Sequence, residues 1–199
     1  MVKIEASLVK QLREETGAGV MDCKVALETA NGELAKAKGI LREKGMAKAD
    51  RKAGKATGQG RIGSYIHSNG MIGAMVELHC ETDFVAKNAE FLDLLHDLCL
   101  QVAGANPEVV SKEELPAELV EKEKAKYAEE VKGKPPHVAE KILEGKLDKN
   151  LFAHKCLLHQ SFLNEAKFQG TVADMIKTKI AKIGENITVR RFARFDIAD

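Results

Sequence analysis

One change of hydrophobic period constrains this chain more than any other feature. From Lys3 to about Gly45 the apolar residues recur at helical spacing, with Ile4, Leu8 and Leu12 on one stripe and Leu34, Ile40 and Leu41 on a later one. From Arg61 the period becomes two: Ile62, Ser64 and Ile66 alternate, Ser68-Asn69-Gly70 turns, and Ile72, Ala74, Val76 and Leu78 alternate again. A helix gathers residues three or four apart onto one face, whereas a strand gathers every second residue. The chain therefore opens with a helical unit and continues into a β-hairpin.

The helical unit breaks into three. Gly17-Ala18-Gly19 and Asn31-Gly32 interrupt it, because these residues accept backbone conformations that others resist, and Gly45 is placed to cap the third helix. Three helices within residues 1–47 make a bundle with a thin core, better suited to docking than to catalysis. The run Cys23-Lys24-Val25-Ala26-Leu27, continued by Leu34 and Leu41, resembles the ubiquitin-associated three-helix bundle. Residues 48–60 alternate Ala, Gly and Lys with almost nothing large to bury, which predicts a basic linker.

A third strand is predicted at the far end. There Ile187, Val189, Ala193, Phe195 and Ile197 share one side, and Thr188, Arg190, Arg194 and Asp196 largely line the other. About a hundred residues of mainly helical pattern separate it from the hairpin, so residues 61–199 predict an α+β core, a three-stranded antiparallel sheet covered by helices. Local signals mark those helices. Asn88 is placed to cap a stripe of Phe91, Leu95, Leu98 and Val102, while Pro116 and Pro135-Pro136 open later segments. Thr171-Val172-Ala173-Asp174 has the spacing of a capping box, and the acidic and lysine-rich run from Glu113 to Lys132 reads as a solvated helix face.

Charge is uneven along the chain although the net value is only +1. Between Lys36 and Arg61, nine Lys/Arg stand against Glu43 and Asp50, a local excess of +7. Clustered cations attract RNA or another acidic surface without regard to sequence. No aromatic interleaves them as a base-stacking platform, which favours a solvated linker over the alternative, an RNA-binding module. The longest apolar runs are too short for a membrane span, and the N-terminus lacks a signal-peptide pattern, which together predict a cytoplasmic protein. Cys23, Cys80, Cys99 and Cys156 stand far apart on no CxxC spacing and are expected as buried, reduced thiols.

Signals for chemistry are sparse. His154, Cys156 and His159 are close in sequence, but isolated His and Cys of this kind, in a chain with no CxxC pair, are read as structural residues and not as a zinc site. Gly54-Lys55-Ala56 lacks both the preceding strand and the Gly-Lys-Ser/Thr of a phosphate loop, and no nucleophile elbow is present. No cofactor or resident metal is expected from these residues, while a small-molecule enzyme stays open at this point, because catalytic residues can converge from distant positions. Phe84 belongs to neither neighbouring stripe, lying between the second strand and the Asn88 cap. It either plugs a gap in the core or projects from a strand-to-helix loop to meet a partner.

Three stretches then suggest a family. Glu81-Thr82-Asp83-Phe84-Val85-Ala86-Lys87-Asn88 after Val76–Cys80, the run from Leu12 to Leu27, and Ala181–Ile187 followed by Val189-Arg190-Arg191-Phe192 resemble elongation factor Ts of the short bacterial type. They span nearly the whole chain in the family's order. The resemblance implies a guanine-nucleotide exchange factor for elongation factor Tu. By the same resemblance, Thr82, Asp83, Phe84 and Val85 would disturb the partner's magnesium site, with Phe84 wedging between helices of the GTPase. Arg13, Val20 and Met21 would grip a GTPase helix near the guanine base, although Val20 stands where the family usually has methionine. Short members tend to pair, which implies a homodimer.

Overall fold

A computed structural model describes residues 4–198; residues 1–3 and 199, the outermost ends of the expected bundle and core, lie outside it. In chain order the elements are α1 (Ala6–Thr16), α2 (Val20–Thr29), α3 (Leu34–Lys52), β1 (Gln59–Ile66), β2 (Ile72–Cys80), α4 (Asp83–Ala86) and α5 (Ala89–Ala105). After these come α6 (Ala117–Ala125), α7 (Ala128–Val131), α8 (Pro136–Leu147), α9 (Ala153–Lys155), α10 (Val172–Ile183) and β3 (Ile187–Asp196). The architecture is α+β, and its antiparallel sheet has three strands in the order β1-β2-β3.

The first three helices close over Leu12, Cys23, Ala26, Leu27, Ala37 and Leu41. Gly17 (φ +67°) and Gly32 (φ +84°) supply the left-handed turns between them, where a side chain would be strained. Gly45, by contrast, does not end the third helix as its position suggested. α3 runs through it to Lys52, across the start of the stretch expected as linker. At Gly45 the helix crosses α10 so closely that an added β-carbon would sit 3.2 Å from the Ala181 Cβ. Beyond the crossing, Ala49 is buried in the main core and Lys177 reaches Asp50 at 2.7 Å. One helix thus contributes to two cores, and tertiary contact overrides the glycine's weak helix propensity.

The main core lies between the sheet and two helices. β2 sends Ala74, Val76, Leu78 and Cys80 inward to meet Phe91, Leu94, Leu95, Leu98 and Val102 of α5 and Met175, Ile176 and Ile180 of α10. Gly63 on β1 permits this approach, since a β-carbon there would fall 2.6 Å from Leu95 Cγ. Asn88 caps α5 by accepting from the Glu90 N–H at 2.8 Å, and Thr171 with Asp174 forms the reciprocal capping box of α10. Residues 106–160 loop out around a smaller cluster of Leu115, Leu147, Leu151, Phe152 and Cys156. The buried amide of Gln101 ties this excursion back, donating to Gln160 Oε1 and the Ser161 carbonyl and accepting from the Leu163 N–H.

Register decides which side chains face outward. Ile62 pairs with Glu77 and Ile66 with Gly73, so the β1 stripe lies on the opposite face of the sheet from Val76 and Leu78. β3 also departs from strict alternation. A bulge opposite Glu77 and Leu78 leaves Arg190 unpaired, so Ile187 and Val189 face inward before it, while Phe192 and Arg194 face inward after it. Ala193, Phe195 and Ile197, expected on the Ile187 side, are therefore turned outward.

An ion-pair network fastens α10 to α5. Lys179 Nζ lies 2.5 Å from Glu90 Oε2, and Lys182 Nζ lies 2.5 Å from Glu90 Oε1. Hydrogen bonds from Lys179 and Lys182 hold the Glu90 carboxyl below its ordinary range. A carboxylate lowered in this way contributes stability above its unfolded pKa of about 4.3 and loses it as pH falls through the folded value. Glu90→Gln is expected to be less stable than the parent at neutral pH, with the difference fading below about pH 4. Urea unfolding at several pH values checks this, and a gap that persists in acid would contradict it.

Candidate functional site

The segment after β2 was expected as a loop but folds as one capped helical turn. Thr82 is its N-cap, with its hydroxyl accepting from the Val85 N–H at 3.4 Å, and the Ala86 N–H reaches the Thr82 carbonyl at 3.2 Å. So short a helix gains little from its own hydrogen bonds and depends on outside support. Its base has that support: Ala86 is buried, Val85 packs against the main core, and Arg61 Nε donates to the Ala86 carbonyl at 3.0 Å. Thr82 is held from the other side by Glu185, a residue no spacing rule could connect to it.

Phe84 points the other way. It is 81% exposed, the most exposed large apolar side chain among the described residues. The open choice between a core plug and a projecting aromatic is thereby decided for projection. Asp83 stands beside it, 2.8 Å from Lys87 Nζ, and that hydrogen bond keeps the carboxyl below its usual range and so ionised at neutral pH. Next to the turn opens a shallow concavity of about 410 Å³ lined by Gln59, Arg61, Ile62, Asp83 and Lys87. The arrangement presents an apolar ring with a fixed charge at its foot, which suits insertion into another surface.

A second exposed group lies on the bundle. Gly19 caps α2, whose Cys23, Ala26 and Leu27 face the bundle core. Val20 (48% exposed) and Met21 (69% exposed) stand on its first turn, turned to solvent, and Arg13 is exposed on α1. The Thr82–Val85 turn and the Arg13, Val20, Met21 group therefore occupy different elements, linked through α3.

The remaining candidates carry less. Cys156 is fully buried, His159 packs on Phe152 with ring centroids 5.6 Å apart, and the His154 carbonyl accepts from Gln160. Among the described residues, no group of three or more His, Cys, Asp or Glu side chains converges as a metal site. Cys23, Cys80, Cys99 and Cys156 are all buried free thiols, and burial pushes Cys99 and Cys156 up to about 11, which keeps them unreactive. Among the described residues no helix is long and apolar enough to cross a membrane. Several cations of the basic stretch have acidic partners: Lys36 pairs with Glu33, Lys38 with Glu15, Lys44 with Asp22, and Lys52 and Lys55 both face Glu81.

The family model described as Elongation factor TS matches residues 6–169. Elongation factor Ts of Coprothermobacter proteolyticus is 49% identical over the whole of both chains. The same factor of Thermodesulfovibrio yellowstonii is 52% identical over 98% of this chain and 96% of its own length. That of Thermosipho melanesiensis is 52% identical over 98% of this chain and all of its own. Similarity of this extent, running through both the bundle and the projecting turn, shows that the chain belongs to the elongation factor Ts family.

Proposed function

We propose that this protein is a guanine-nucleotide exchange factor for elongation factor Tu in translation elongation, acting in the cytoplasm without a chemical step of its own. The observation that carries the reading is Phe84, exposed on a turn whose base is pinned. In this reading Thr82, Asp83, Phe84 and Val85 enter the GTPase beside its magnesium site, the ring filling an apolar pocket and Asp83 arriving as an anion. Magnesium demands near-ideal octahedral geometry and bridges the phosphates, so a small displacement of its surroundings weakens the hold on GDP. The coupling is reciprocal: whatever factor this protein takes from GDP affinity, GDP takes from the affinity of this protein.

The division of labour follows the two exposed groups. Residues 1–47 serve as a docking domain of the ubiquitin-associated type, gripping the GTPase through Arg13, Val20 and Met21. Residues 48–60 connect it to residues 61–199, the core that carries the turn. The core also pairs with a second copy. Ile62, Ile66, Met75 and Phe195 form an exposed apolar face on the side of the sheet away from the helices. Its charged end, Glu77 with Arg191 at 2.6 Å, is already internally balanced, so two like faces can meet without net repulsion.

The test is release of labelled GDP from elongation factor Tu. Catalytic amounts of the protein are expected to accelerate it. An RNA-binding role for residues 36–61 would show instead as RNA affinity that collapses with salt and ignores Phe84. The pairing of these cations with Glu15, Asp22, Glu33 and Glu81 counts against that role.

A further inference from the structure

α10 ends at Gly184 in the left-handed region (φ +88°), and the next two residues meet the root of the projecting turn. Glu185 receives both donors of Thr82: the backbone N–H reaches Oε2 at 3.0 Å and the hydroxyl reaches Oε1 at 2.7 Å. Asn186 answers one residue earlier on the facing segment, its N–H donating to Glu81 Oε1 at 2.7 Å. The buried Asn186 side chain also donates to the carbonyls of Ala53 and Lys55, where the chain leaves α3. Glu185 and Asn186 thus bind the root of the turn and the exit of the bundle at one point.

From this we infer that Glu185 is a positioning residue for the Phe84 finger, an inference that rests on the exchange reading above. A carboxylate only accepts hydrogen bonds. By accepting the hydrogen bond of the Thr82 hydroxyl, Glu185 turns that oxygen's lone pairs toward the Val85 N–H, and so completes the cap of α4. The same grip orients the Thr82 backbone from which Asp83 and Phe84 spring. Phe84 has almost no packing of its own to hold it, so its direction is inherited from this root. A finger aimed in advance loses less freedom on entering its pocket.

Glu185→Ala removes both acceptors, and Glu185→Gln keeps the shape but offers an oxygen to only one of the two donors. With elongation factor Tu loaded with labelled GDP, Glu185→Ala is expected to lower the release rate at saturating factor about ten-fold, the worth of one hydrogen bond to a charged group. Glu185→Gln should fall between it and the parent. The factor concentration giving half the maximal rate should stay within about two-fold, because the bundle surface is untouched. In the free protein, amide hydrogen exchange at Val85 and Ala86 should quicken in both variants. Thr82→Val should quicken the Val85 amide in the free protein as well, whereas Thr82→Ser, which keeps the hydroxyl, should leave it protected.

An unchanged plateau and unchanged Val85 protection in folded Glu185 variants would overturn the assignment, as would a loss confined to the half-saturation concentration. Should both Glu185 variants fail to fold, the Thr82 pair decides in the free protein: unchanged Val85 protection in Thr82→Val overturns the assignment, and protection lost in Thr82→Val but kept in Thr82→Ser supports it. If the parent protein itself leaves GDP release unaccelerated, the exchange reading has failed, and the Val85 amide still reports whether Glu185 holds the turn.

Discussion

Phe84→Ala is expected to weaken the exchange intermediate about ten- to a hundred-fold while leaving the protein as stable as before. The first half follows from burial: a phenylalanine moved from water into an apolar pocket contributes about 1.5–3 kcal/mol, and about 1.4 kcal/mol is a factor of ten. The second half follows from exposure. At 81% exposure the ring contributes little to its own fold, and truncating such a residue usually changes stability by less than about 0.5 kcal/mol. Both parts are measured together, by labelled-GDP release across a range of factor concentrations and by urea unfolding of the same samples. Full exchange activity in the alanine variant would remove the finger from the mechanism. A large loss of stability would mean that the ring packs against its own domain.

Phe195→Asp should have the larger effect on assembly. In a twofold interface each side chain is buried twice, so losing one phenylalanine per protomer costs about 3–6 kcal/mol, or roughly a hundred- to ten-thousand-fold in dimer affinity. The introduced carboxylate adds the cost of burying an unpaired charge. Phe195 is 70% exposed in the protomer, so the fold itself should survive. Sedimentation velocity over a concentration series gives the answer. A parent protein that stays monomeric, or a variant that sediments like a dimeric parent, would show that this face of the sheet is not where two copies meet.

The two expected results differ in how far they could be anticipated from residues alone. Asn88 and the Thr171–Asp174 capping box sit where their spacing put them, because a cap is chemistry between residues two or three apart. Val76 and Leu78 face the core as their alternation indicated. Gly45 misled, because α3 continues there through contact with Ala181, a residue far along the chain. The outward turn of Phe195 was hidden by the bulge at Arg190, which shifts the period by one residue without any marker of its own. The direction of Phe84 was undecided by periodicity, since it belongs to neither of the stripes beside it. Its hold on the fold comes through Thr82 and Glu185, which are 103 residues apart.

What the residues alone determined was therefore the kind and order of the main elements, the α+β class, and the motifs that mark the family. All of these rest on interactions within a few residues: hydrophobic period, caps, and glycine turns. The tertiary structure alone decided which faces remain bare, that the third helix serves two cores, and that Phe84 stands in solvent on an anchored turn. Burial and register depend on segments that meet only after folding, and no local pattern encodes which distant partner will arrive.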